Sequence, residues 1–181
     1  MRILDLDKLK EGLPGISPAF GSLFAEAAAV CLTTMGHVSG VRLKVIGDFE
    51  AEFAIVWTFE IGQPKKMGWG DSREAAEFGA TALALLLISV LTNYHEFERK
   101  EQGDGYDFNM WKNVSENEVM KNIEERARLE ISGIFKEAPG NSVQARIAIK
   151  KRQTTKSHGQ NLPLFIVVVE FKTPKAKIIQ A

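Results

Sequence analysis

Two stretches in the second half of the chain alternate between apolar and polar side chains. In Gly105-Tyr106-Asp107-Phe108-Asn109-Met110-Trp111, the residues Tyr106, Phe108 and Met110 are expected on one face, with Asp107 and Asn109 on the other. In Ala127 to Ile134, Leu129, Ile131 and Ile134 stand against Arg128, Glu130 and Ser132. A period of two is the signature of a half-buried β-strand. Each predicted strand therefore carries one carboxylate on its polar face.

The rest of the chain reads outward from there. Residues 1–16, punctuated by Gly12, Pro14 and Gly15, predict a short helix or extended arm followed by a loop. Ser17-Pro18 is a helix start, with Ser as N-cap and Pro in the first turn. Phe20, Phe24, Ala27, Ala28, Cys31 and Met35 then recur at helical spacing up to Gly36. Alternation at Val41, Leu43 and Val45, a turn at Gly47-Asp48, and alternation at Phe53, Ile55, Trp57 and Phe59 predict a hairpin. Its exposed edge offers a surface for dimerisation. Three glycines and a proline make residues 61–70 a loop.

Asp71-Ser72-Arg73-Glu74 opens a second long helix with a capping-box pattern. From Phe78 to Leu91 it is apolar nearly all round, which predicts a helix covered on more than one side. Gly79 within it predicts close approach of another element. Strands are expected at 94–100, 106–111 and 127–134, with a turn at 102–105 and a short capped helix beginning near Ser115. A basic helix from about Pro139 to Lys156 carries Arg146, Lys150, Lys151 and Arg152. The β-branched run within 162–171 predicts a strand covered on both faces, and the tail 173–181 is expected to be only partly ordered.

Composition narrows the function classes. A chain of 181 residues, 45% hydrophobic and 25% charged, is most simply one domain with a real core: a helix and hairpin over 1–70, a core over 71–172 and the tail. The net charge is zero, which weighs against strong nonspecific nucleic-acid binding but leaves room for a local basic patch. The single cysteine, Cys31, forms no intramolecular disulfide and fits a reducing cytoplasm. Acids in the first eight residues break the apolar run a signal peptide needs, and Phe78 to Leu91 is too short to span a bilayer. The expected location is the cytoplasm, with no membrane partner.

From residue 72 onward the predicted order is helix, strand, strand, strand, helix, strand. Such a meander followed by a helical crossover gives an α/β (mixed α+β) fold, a mixed sheet flanked by helices. With the two acids, this order resembles the core of the restriction endonuclease-like superfamily, the PD-(D/E)XK nucleases. Glu98-Arg99-Lys100, Gly103 to Trp111, Arg128 to Gly133 and Val167 to Phe171 also resemble motifs of a set of uncharacterised bacterial proteins. The superfamily resemblance implies a Mg²⁺ site in which Asp107 matches the first acid and Glu130 the second. The lysine that helps activate water falls at Ser132, and Asp107 has no proline before it. Lys100, Lys112 or Lys150 could substitute, with Lys150 the preferred catalytic candidate, and Glu98 could be a third ligand.

Two functions from different classes are expected. One is a Mg²⁺-dependent nuclease that uses Asp107 and Glu130 on DNA or RNA, with Arg146, Lys150, Lys151 and Arg152 at the nucleic acid. The other is a non-catalytic relative that binds a protein or a nucleic acid, with the two acids in an ion network with Arg128 and Arg99 and the basic helix simply solvated. Ser132 lacks the Gly-x-Ser-x-Gly setting of a serine nucleophile. His37, His95 and His158 lack metal-ligand spacing.

Overall fold

The computed structural model describes residues 1–101, 105–112, 125–154 and 162–181. The chain begins with strand β1 (Arg2–Asp5) and a short helix α1 (Asp7–Lys10), then α2 (Pro18–Thr34) and the hairpin β2 (Val41–Gly47) and β3 (Ala51–Val56). A six-residue helix α3 (Gln63–Gly68) precedes the long α4 (Ser72–Leu91). Strands β4 (Glu96–Arg99), β5 (Phe108–Trp111) and β6 (Arg126–Ile134) follow, then α5 (Val143–Thr154), β7 (Leu164–Glu170) and β8 (Lys175–Gln180). The capped helix expected near Ser115, most of the 102–105 turn, and His158 and Lys156 lie outside the described residues.

Among the described residues, eight strands form one mixed sheet in the order β1-β3-β2-β8-β7-β6-β5-β4. The meander β4–β5–β6 is antiparallel, and α5 carries the chain over to β7, parallel to β6. The predicted mixed sheet flanked by helices is therefore present. The tail is not loose: β8 pairs antiparallel with β7 and parallel with β2, and so joins the hairpin to the core. Ala176 and Ile178 are fully buried there. The hairpin is not an edge either, because β3 is covered by β1 and β2 by β8. Among the described residues, the ends of the sheet are β1 and β4.

Helices α2 and α4 cover one face of the sheet. Ser17 caps α2, and the Asp71 side chain accepts from the Arg73 and Glu74 amides to cap α4. α4 is long and apolar enough to cross a membrane, but most of it is buried between α2 and the sheet, as its all-round apolar surface predicts. Gly79 makes the close contact expected of it: a Cβ there would stand 3.0 Å from Ala28 Cα on α2. On the sheet side, a Cβ on Gly133 would stand 2.0 Å from the Ala76 carbonyl oxygen, so α4 rests directly on β6. The other sheet face is covered by α5 through Val143 and Ile147, which pack on Ile134, Leu164, Ile166 and Val168. Ile134 thus faces α5, opposite to Leu129 and Ile131, since two residues rather than three restore a strand face.

Candidate functional site

The site arises where β6 outlasts its neighbour. β5 begins at Phe108, whose partner is Leu129, so among the described residues no strand pairs with the last five residues of β6 on that side. Their backbone donors still need acceptors, because an unpaired buried amide is costly. Carboxylates supply them. Asp107 Oδ2 accepts from Ile131 N at 2.7 Å, and Glu77 Oε2, from α4, accepts from Gly133 N at 3.0 Å. Two acids are drawn to this edge by a ladder that ran out of strand.

Glu130 adds a third. Alternation along β6 puts it on the α5 face, where it is 5% exposed. Its Oε1 makes a short ion pair with Lys150 Nζ of α5. The Asp107 and Glu130 carboxyl groups lie close enough for each to act on the ionisation of the other. Burial first, and then the charge of Asp107, push Glu130 up to about 7, against the opposing pull of Lys150. Asp107 is also raised, by burial, although the Ile131 amide, Lys150 and Arg99 all favour its charged form.

Arg146 completes the cluster. Its guanidinium stands 3.9 Å from Glu77 and 3.4 Å from Ser132 Oγ, and donates to Asn141 Oδ1 at 2.6 Å. Ser132 Oγ is 3.4 Å from Glu77 Oε1. Ser132, where a lysine is expected, is thus a buried hydroxyl, and the ammonium beside the acid pair comes from Lys150 of α5. Of the three lysines considered, Lys150 reaches the acid pair, Lys100 lines the neighbouring cleft, and Lys112 sits over the Tyr94 ring at 5.8 Å.

Other sequence candidates go elsewhere. Glu98 is exposed and accepts from Asn109 Nδ2 at 2.7 Å; no contact joins it to Asp107 or Glu130 among the described residues. Arg128 does not bridge the two acids. It donates to the Leu162 carbonyl and lies over the Tyr106 ring. Arg146 and Lys150 turn toward the acids, so only Lys151 and Arg152 of the four basic residues on α5 are exposed. Glu77 escaped sequence reading because it sits at ordinary helical spacing in a capped helix, and only the seating of α4 on Gly133 brings it to the sheet.

A cleft of about 1040 Å³ opens beside the cluster, lined by Phe78, Arg99, Lys100, Tyr106, Asp107 and Glu130 among others. A smaller cavity of about 110 Å³ connects Asp107, Glu77 and Arg99 with Phe24 and Phe78. Among the described residues, no group of three or more His, Cys, Asp or Glu side chains converges closely enough to hold a metal by itself. Two adjacent carboxylates remain. Mg²⁺ is commonly bound through one or two carboxylates, with waters and substrate phosphate as the other ligands, so this donor set fits it. Comparison of the chain with protein-family models, curated proteins and solved structures gave no match.

Proposed function

We propose that the protein is a restriction endonuclease-like, Mg²⁺-dependent nuclease that hydrolyses phosphodiesters at Asp107 and Glu130. The observation that carries this reading is the buried acid pair with an ammonium on it, open to a cleft large enough for a nucleotide. Two like charges in a low-dielectric site resist ionising together, and a divalent cation relieves that repulsion. The element order from α4 to β7 supports the same reading.

The roles follow from position. Asp107 and Glu130 would hold the ion; Mg²⁺, when bound, supplies positive charge to the phosphoryl oxygens and eases ionisation of water. Asp107 stays oriented because Ile131 N fixes one of its oxygens. Lys150 keeps a positive charge where negative charge develops on the attacking oxygen and phosphate. Water forms the new P–O bond and gives up a proton to solvent, the ester P–O bond breaks, and the departing alkoxide takes a proton from solvent to leave as the alcohol. Arg99, at the cleft wall beside Asp107, offers a contact to a non-bridging oxygen.

A second reading has its own support. Asp107, Glu77 and Glu130 each already have a partner within the fold, and Ser132 stands where the resemblance expects lysine. That arrangement also suits a binding module which kept the fold without the chemistry. Incubation with labelled DNA and RNA in Mg²⁺ or Mn²⁺ separates the two. Under the nuclease reading the protein cleaves only with metal, and Asp107→Ala lowers the rate more than about 100-fold, beyond what outer-shell partners of metal ligands usually contribute. Metal-independent cleavage, an unaffected variant, or no cleavage of any substrate rejects it.

A further inference from the structure

Next to Asp107, one aromatic ring is held in place by a chain of polar contacts. Glu98 Oε2 accepts from Asn109 Nδ2 at 2.7 Å, and Asn109 Oδ1 accepts from Arg126 Nε at 3.0 Å. Arg126 Nη2 then donates to the Tyr106 hydroxyl at 3.1 Å. Asn109 is only 3% exposed, so this chain is built into the sheet rather than laid on it. The Arg128 guanidinium stands 5.8 Å from the Tyr106 ring centroid, and its Nε is buried without a hydrogen-bond partner. The ring itself remains half-buried on the wall of the large cleft, which Phe78 and Arg99 also line.

We infer that Tyr106 is a stacking platform for an unpaired base, and that the cleft takes single-stranded rather than duplex nucleic acid. The inference rests on the nuclease reading for the class of ligand, and adds the form of the strand. A ring beside the acid pair contributes nothing to a duplex whose bases are already paired and stacked. For a single strand, stacking on an aromatic ring is a main source of affinity and tolerates any sequence. Charge does not separate the two forms, since single strands also bind along positive grooves; Arg99 and Lys100 on the cleft wall supply that charge here, and the ring supplies the preference. Arg128, lying over one side of the ring and held by the Leu162 carbonyl, backs the platform and leaves the cleft side of the ring to a base. Glu98 then acts at the far end of the chain that positions Tyr106.

The test is binding without metal, which separates it from catalysis. Anisotropy of labelled oligothymidylate and oligouridylate, and of a duplex of matching length, is measured in EDTA for the wild type, Tyr106→Ala and Tyr106→Phe, with thermal melts confirming folding. The single strands are expected to bind at least about 10-fold tighter than the duplex, Tyr106→Ala to lose about 5- to 100-fold, and Tyr106→Phe to stay within roughly 3-fold of wild type. The two single strands distinguish DNA from RNA. Equal or tighter duplex binding, absence of binding to any of these, or a folded Tyr106→Ala that binds like wild type overturns the inference. Ring-dependent binding without cleavage in Mg²⁺ or Mn²⁺ would uphold it while rejecting the nuclease reading.

Discussion

Two Glu–Lys pairs lie beside α5, and they respond to their surroundings in opposite ways. Glu130 pairs with Lys150 toward the C-terminal end of the helix, and Glu137 pairs with Lys175 at 2.6 Å near its start. Glu137 is held below the usual carboxylate range, first by the hydrogen bond from Lys175 and then by the Val143 amide. Glu130 has an equally direct lysine and is nevertheless pushed up to about 7. The difference is the setting. Glu137 keeps about a third of its side chain in water, whereas Glu130 is buried with Asp107 beside it. One pair fastens a helix start. The other holds an acid in a form that costs stability, and such costs concentrate where a protein has chemistry to do.

Removing the lysine from the buried pair should have the largest destabilising effect. Lys150→Met keeps the apolar stem but leaves Glu130 and Asp107 without their nearest cation. Taking one partner from a buried ion pair typically costs about 3–5 kcal/mol when the other charge persists, but Glu130 can stay protonated instead, so the part of the loss that depends on its charge is at most about 1.4 kcal/mol at pH 8. The loss should appear at pH 8, where Glu130 would otherwise ionise, and shrink at pH 5, where it is protonated in either protein. Denaturant unfolding at the two pH values measures this. A loss of equal size at both would mean that Lys150 stabilises by packing alone.

Replacing the acid should act in the opposite direction. The folded value for Glu130 lies above its ordinary value of 4.5, so between 4.5 and about 7 the folded state holds more protons than the unfolded one. Stability therefore falls as pH rises through that window, by roughly 3 kcal/mol when complete. Glu130→Gln should remove the slope and be more stable than wild type above pH 7, with little difference below pH 4. If Glu130→Gln is no more stable than wild type at pH 8, the burial cost assigned to Glu130 is wrong.

The same contrast shows how far the sequence could be read. Alternation located β5 and β6 and separated Glu130 from Leu129 and Ile131, but β6 is buried on both faces and Asp107 lies in the bend just before β5. The all-round apolar surface of α4 and the glycine within it placed that helix between α2 and the sheet. Tyr106 broke its pattern: the ladder starts only at Phe108, and in the bend before it the ring turns toward Arg126 on the polar side. β8 was hidden by its place near the chain end behind Pro174, although Lys175, Ala176, Lys177 and Ile178 alternate cleanly. Glu77 and the inward turn of Arg146 carry no local signature, since both depend on how a helix is seated on a sheet. Sequence periodicity reports which side of an element is buried, but not which element covers it.

Glu137 gives the smallest effect and the sharpest control. Its Oε1 accepts from Val143 N at 2.7 Å, the first amide of α5, while Ser142 Oγ accepts from Ala145 N at 3.2 Å. The carboxylate thus shares the work of satisfying the helix start and favours its positive end. Glu137→Gln should cost about 1 kcal/mol or less at pH 7, because solvent screens a pair this exposed. The sign of the pH dependence is opposite to that at Glu130. A lowered folded value means stability that is present above the ordinary value of 4.5 and lost as pH falls through the folded value. The difference between Glu137→Gln and wild type should therefore vanish in strong acid, whereas that for Glu130→Gln should vanish below pH 4 and grow toward pH 8. Chemical denaturation of both variants from pH 3 to pH 8 makes the comparison directly. Curves for the two variants that run parallel would show that burial and the neighbouring acid do not distinguish the pairs.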